Sequence, residues 1–506
     1  MSKARRYALL SCILLIATFF RVYHFESAPP GLFTDEAING NYAVEAAETN
    51  HFQVVYFKQD GREGLYTSIL AVIFKVFPNY EPWIIRLPAQ VAGVLTVWGL
   101  YLLGAELFDQ QIGLLAAFLL STSVWHITFS RIGFRAILSP LFFVWALWLL
   151  IRSFPFKDHS PESPVRQSTL SVVLAGIVYG LGFYTYIAYR ITPILLLLFI
   201  PFFRKLPHFW RNAWIFIVTT IAVCIPITVY FIQHPSELVA HSATLSVINR
   251  SAHPVYEFAY NMLRQFLMFT VHGDRNWRHN FGGAPELFRP VGALFPLGIL
   301  IGSHFLWRFW SRDDAKEDRS HRDSLVPLHP FSVLLVLAWL IVGIVPAAAS
   351  DDNIPHSLRS ILTAPVAMIL AAIGGVWLYR FASSYIRVST LRIISIAFLA
   401  LITGFAYRTY FINWVNHPSV AAAFYVKDYE IAKYINTIPR STPKYVVVGS
   451  PDIKDRGISI RAQSIMFITH SFTVADANRA SIHYLLPEQI GVIPKSTPAE
   501  DIFTVN

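Results

Sequence analysis

The chain has 506 residues, 54% hydrophobic and 15% aromatic but only 14% charged, against about 25% charged in an average soluble domain, which argues against a water-soluble globule. Its two cysteines, Cys12 and Cys224, both lie inside apolar runs, so neither a disulfide framework nor a cysteine metal cluster is on offer. The formal charge of +10 is scattered over loops rather than gathered on one domain, which points to anionic lipid or phosphate and away from nucleic acid.

A bilayer core takes roughly 20 apolar residues per helix. That rule predicts spans near 7–23, 84–107, 111–129, 136–152, 169–188, 190–204, 213–232, 290–308, 331–349, 360–380 and 392–412, about eleven in an all-α polytopic membrane protein. Lys3, Arg5 and Arg6 precede the first span, but no small-residue cleavage site follows, so it reads as an anchor and not a signal peptide. The stretch 65–77 contains Lys75 and is too short to span. It reads as a helix lying in the interface.

With the N-terminus inside, the inner loops 1–6, 153–168, 205–212, 309–330 and 381–391 hold Lys157, Arg166, Lys205, Arg312 and Arg387 among their cations, as the positive-inside rule expects. The opposite face then receives the first outer loop 24–82, the segment 130–135, the large outer loop 233–289, the segment 350–359 and everything after 412. Beyond 412 the apolar runs shorten. Helical spacing at 427–438 and a buried strand at 444–449 predict a small α/β extracytoplasmic domain over 413–506, beside a transmembrane domain over 1–412.

The first outer loop carries Asp35-Glu36 just after Pro29-Pro30-Gly31. Thr34 or Asp35 could cap a helix starting there, while a carboxylate at the membrane surface suits a general base for an acceptor hydroxyl. Lys58 and Arg62 precede the interfacial stretch as snorkelling anchors or a phosphate clamp. Arg131 and Arg135, four residues apart and on one face if helical, have no acidic neighbour in sequence and suit a lipid-linked phosphate. The loop 272–283 is rich in Gly and hydrogen-bonding groups, including His279. His272, Asp274 and His279 could be imagined around a metal, but their spacing matches no strong ligand pattern, so no metal ligand is assigned. His356 and Arg359 would share a face if helical. No Asp, Glu, Lys or Arg lies near the midpoint of a predicted span, unlike the usual ion-coupled transporter.

The first span followed by an outer-loop Asp35-Glu36, the stretch 65–77 after Gly61-Arg62-Glu63, Arg86-Leu87-Pro88 opening the second span, Phe129-Ser130-Arg131 and Pro355-His356-Ser357-Leu358-Arg359 together resemble the C-type (GT-C) glycosyltransferase superfamily. The nearest branch is that of protein O-mannosyltransferases and lipid A aminoarabinose transferases. The resemblance implies a GT-C fold and an inverting transfer of a sugar from a polyprenyl-phosphate donor to a hydroxyl of a protein, lipid or cell-envelope glycan. It further implies an outward-facing site in a prokaryotic cell membrane, Asp35 as general base and Glu36 as positioning group. Arg62 stands where relatives have a cation near the lipid phosphate, with Lys58, Arg131, Arg135, His279, His356 and Arg359 as further candidates; divalent metal use varies in the superfamily and stays open. A lipid-linked glycan flippase, and a glycan polymerase or ligase using a diphosphate-linked lipid, remain as alternatives.

Overall fold

The computed structural model describes residues 2–56, 61–154, 169–238, 246–311, 325–449 and 454–505. It divides into two compact units: Met1–Tyr23, Gln90–Ser130 and Arg135–Tyr410 form one, and His24–Ala89, Arg131–Phe134 and Phe411–Asn506 form the other. The second unit is wider than the tail domain expected from sequence, because it includes the first outer loop.

The first unit is helical. Among the described residues six helices are long and apolar enough to cross a membrane: Pro82–Leu107, Phe209–Gln233, Arg289–Trp310, Pro330–Ala348, Ile361–Ala382 and Val388–Trp414. In Phe209–Gln233 and Val388–Trp414 only 11% of the apolar window is buried inside the protein. Water would not tolerate such faces, whereas hydrocarbon does, and a helix satisfies its own backbone there. The chain is accordingly a multi-pass membrane protein.

Several expected spans are shorter or broken, for identifiable reasons. The run 111–129 becomes Gln110–Ser121, capped by the Asp109 carboxylate on the N–H groups of Gln111 and Ile112 at 2.8 Å, and then Val124–Phe129. Arg21 bonds the carbonyls at the break: it donates to Ser121 O at 2.7 Å and to Leu120 O at 3.3 Å, which also accepts from the Ser123 N–H at 3.3 Å. The run 190–204 splits into short turns, with Pro193 and Pro201 each withholding a backbone donor. The helix Lys3–Val22 is continuous but carries Lys3, Arg5, Arg6 and Arg21 and is not among the six. The inner loops 153–168 and 309–330 lie mostly outside the described residues.

In the second unit, Leu65–Val76 is a short amphipathic helix, as expected: Tyr66, Leu70, Ala71 and Phe74 are buried while Val72 and Val76 are exposed. The tail holds a three-stranded parallel sheet in the order Ile482–Leu485, Lys444–Val448, Ile502–Val505. The expected helix is Val426–Ile435 and the expected strand is the central one.

Helices Arg289–Trp310 and Ala364–Ala382 cross backbone to backbone at Gly298 and Gly374. A Cβ on either would run into the Leu370 or Leu294 carbonyl, the small-residue contact that lets membrane helices approach closely. Gly374→Leu should cost about 1–3 kcal/mol by overpacking and lower the thermal midpoint in detergent. Gly404→Leu, with nothing within 4 Å of the new Cβ, should leave it unchanged.

Candidate active site

Most of the site residues expected from sequence that are described fall into two clusters, one in each unit. In the second unit, Asp35 and Glu36 sit in the first turn of the helix Thr34–Thr49, where unpaired N–H groups and the helix dipole favour negative charge. The helix starts earlier than the sequence suggests. Phe33, which has no capping oxygen, stands at the N-cap, and Glu36 reaches back to accept from its N–H at 3.2 Å.

Glu36 is wholly buried and its carboxylate is saturated. It also accepts from Arg86 Nε at 2.8 Å, Arg86 Nη2 at 3.1 Å and the Gly133 N–H at 2.8 Å. Arg86 donates further to Pro29 O at 2.6 Å and Gly31 O at 2.8 Å. Gly31 has φ +62, and a Cβ there would run into the Phe424 carbonyl, so this turn requires glycine.

Asp35, one residue earlier, behaves differently. Its side chain is 38% exposed and meets Arg62 Nη2 at 2.9 Å, with the Arg62 side chain only 7% exposed. Arg62 is placed by a short antiparallel pair in which it lies opposite Tyr56, and Glu63 opposite Val55. Lys58 lies outside the described residues.

The tail braces the helix that carries Asp35. Asn41 donates to Gln463 O at 3.0 Å and Oε1 at 2.7 Å, Ser464 Oγ donates to Leu32 O at 2.9 Å, and Tyr42 OH donates to Asp455 at 3.0 Å. Arg456 pairs with Glu45 at 2.7 Å.

Arg131 departs from expectation. It is fully buried and donates to Ala28 O at 2.7 and 3.0 Å and to His24 O at 3.1 Å. It clamps the segment before the motif instead of presenting itself to a phosphate. Nor does it share a helical face with Arg135, because 130–134 is not helical; Arg135 opens a short 3-10 turn with its guanidinium 5.6 Å from the Tyr186 ring.

The cluster of the first unit gathers residues from two loops. Asp274 Oδ2 accepts from His279 Nδ1 at 2.9 Å and from the Ser357 N–H and Oγ at 3.0 Å, while Oδ1 accepts from the Asn276 N–H at 2.8 Å. Burial pushes the Asp274 carboxyl up, but His279, His356 and the Asn276 N–H together outweigh it and hold it below the usual carboxylate range. Glu286 goes the other way: burial and the neighbouring Asp274 charge push it well above that range. Burial, with His279 and Arg359 alongside, lowers the His356 imidazole. His356 and Arg359 lie in a turn, not a helix, with the Arg359 N–H on His356 Nδ1 at 3.4 Å. Arg359 pairs with Asp352 at 3.1 Å and donates to Ser350 Oγ. His272 is exposed.

Arg86 and Ser357 stand in stretches that carry the resemblance but had no role assigned, and Gln265 was not singled out. Arg86 carried a usable signal, since a cation just inside an apolar run needs a buried partner. Gln265 accepts the His356 N–H at 3.0 Å and donates to Ser360 Oγ at 2.8 Å. Nothing local marks a glutamine or serine whose partner comes from a distant loop.

Fold and helix pattern together define a class: the chain has the GT-C fold of membrane glycosyltransferases. It is similar to ArnT from Cupriavidus metallidurans, at 13% identity over 92% of this chain and 85% of that one in the apo state (TM-score 0.56). With ArnT bound to undecaprenyl phosphate the figures are 10%, 96%, 90% and 0.53. It is also similar to the Archaeoglobus fulgidus oligosaccharyltransferase tethered to an acceptor peptide, at 16% identity with a TM-score of 0.55; the match covers 98% of this chain but only 65% of that one. The family model described as dolichyl-phosphate-mannose-protein mannosyltransferase matches residues 65–231. No curated protein matches by sequence.

Arg86→Met should destabilise the protein by about 3–5 kcal/mol, because it strands a buried carboxylate. Asp35→Asn keeps a polar side chain against Arg62 at a position 38% exposed and should cost far less, about 1 kcal/mol. Thermal melts of the two variants in one detergent check the contrast.

Proposed function

We propose that the protein is an inverting glycosyltransferase that moves a sugar from a polyprenyl-phosphate-linked donor to an acceptor hydroxyl on the outer face of the membrane. The observation that carries this reading is the exposed Asp35 carboxylate beside the buried Arg62, 2.9 Å apart. The ArnT complex with undecaprenyl phosphate and the mannosyltransferase family match support the donor class. They leave sugar and acceptor to experiment.

In this reading Asp35 takes the proton of the acceptor hydroxyl. The freed oxygen attacks the anomeric carbon opposite the phosphate, the new glycosidic bond forms with inversion, and the carbon–phosphate-oxygen bond breaks. Its electron pair leaves on the lipid monophosphate. Arg62 meets that developing charge, where a poorly hydrated guanidinium is most effective. Donor phosphate and Asp35 compete for the same guanidinium, so donor binding frees Asp35 to act as base. Glu36, buried and saturated, is a positioning residue that sets the helix N-terminus.

Asp35→Asn should lower sugar transfer from a polyprenyl-phosphate donor by about 10²–10⁴-fold, the range for a lost general base, while the thermal midpoint holds. Retained turnover would refute the assignment. Mass spectrometry of the spent lipid should show a monophosphate; a diphosphate would favour the ligase alternative.

A further inference from the structure

The cluster in the first unit has a geometry that hydrogen bonding alone does not require. Asp274, His279 and His356 are all buried, and one ligating atom from each falls within 4.8 Å of the other two. His356 Nδ1 lies 4.0 Å from Asp274 Oδ2, too far for a hydrogen bond. Two donors bonded to one zinc-sized ion at about 2.0–2.1 Å in tetrahedral geometry stand roughly 3.3 Å apart. The observed separations of 2.9 Å for His279 and 4.0 Å for His356 bracket that value.

We propose that Asp274, His279 and His356 form a binding site for one divalent transition-metal ion of the zinc type. A carboxylate oxygen with two imidazole nitrogens is a borderline-soft donor set that suits zinc over magnesium or calcium. Three protein ligands leave a fourth position for water or a phosphate oxygen. His356 Nδ1 carries no proton, since it accepts from the Arg359 N–H at 3.4 Å, and an entering ion would replace that long contact. His279 Nδ1 now holds a proton against Asp274. On metal entry that proton moves to Nε2, and the ion replaces it between ring and carboxylate. The Asn276 N–H on Oδ1 and the two Ser357 donors on Oδ2 orient the carboxylate as outer partners do in metal sites. The ion would tie the loop around 272–286 to the turn at 356–360.

The test uses the full chain in detergent, stripped with a chelator and titrated with Zn²⁺ and, separately, Co²⁺. One ion per chain is expected by elemental analysis after gel filtration, with at least about 100-fold weaker binding in His279→Gln and His356→Gln. X-ray absorption on the zinc-loaded wild type should count two imidazoles at about 2.0–2.1 Å, which needs no variant to fold. Stoichiometry well below one, binding unchanged in both variants, or a spectrum without imidazole would overturn the site. None of these readouts depends on turnover, so the metal site and the transferase reading stand or fall separately.

Discussion

Everything around Asp35 depends on the buried pair between Glu36 and Arg86. A carboxylate with no solvent contact is tolerable only when its lone pairs are filled and its charge is met. Glu36 meets that condition with Arg86, the Gly133 N–H and the Phe33 N–H. Arg86 in turn fixes the carbonyls of Pro29 and Gly31. One ion pair thereby ties the turn before the motif, the helix N-terminus and the segment 131–134 into one rigid corner. Adjacent carboxylates in one turn acquire different tasks through environment alone, one sealed and structural, the other open to solvent.

The same corner explains what the tail contributes. Hydrogen bonds from Asn41, Tyr42 and Ser464 and the Glu45–Arg456 pair hold the Asp35 helix along its length. The tail is thus part of the support for the acidic motif, which is why it shares a compact unit with residues near the N-terminus. The general base proposed at Asp35 would have to be held within a fraction of an ångström of its geometry, and a helix braced at several points meets that demand better than a free loop.

The parts of this arrangement legible in the sequence are those written in local pattern. Apolar period and length marked the six long apolar helices, out of about eleven spans expected, the 12-residue helix Leu65–Val76 declared itself too short to span, and Asp35-Glu36 announced a polar site. What stayed hidden was decided by partners far along the chain. Arg131 looked like a phosphate ligand because the carbonyls of His24 and Ala28 that occupy it are invisible to spacing. The resemblance gave Glu36 a positioning role, but that Arg86 and the Gly133 N–H seal its carboxylate is not written in local spacing. The cluster of Asp274, His279 and His356 was not visible in sequence because His356 lies on a separate loop. The break in the 111–129 run was equally hidden, since the Arg21 side chain that bonds the carbonyls there comes from the first helix.

A structure of the protein with a polyprenyl monophosphate bound tests the central claim most directly. The account predicts the phosphate within hydrogen-bond reach of the Arg62 guanidinium, and an Asp35–Arg62 separation opened beyond the present 2.9 Å, leaving the carboxylate free to receive a proton. A phosphate bound away from Arg62, with the Asp35–Arg62 pair still closed, would contradict it.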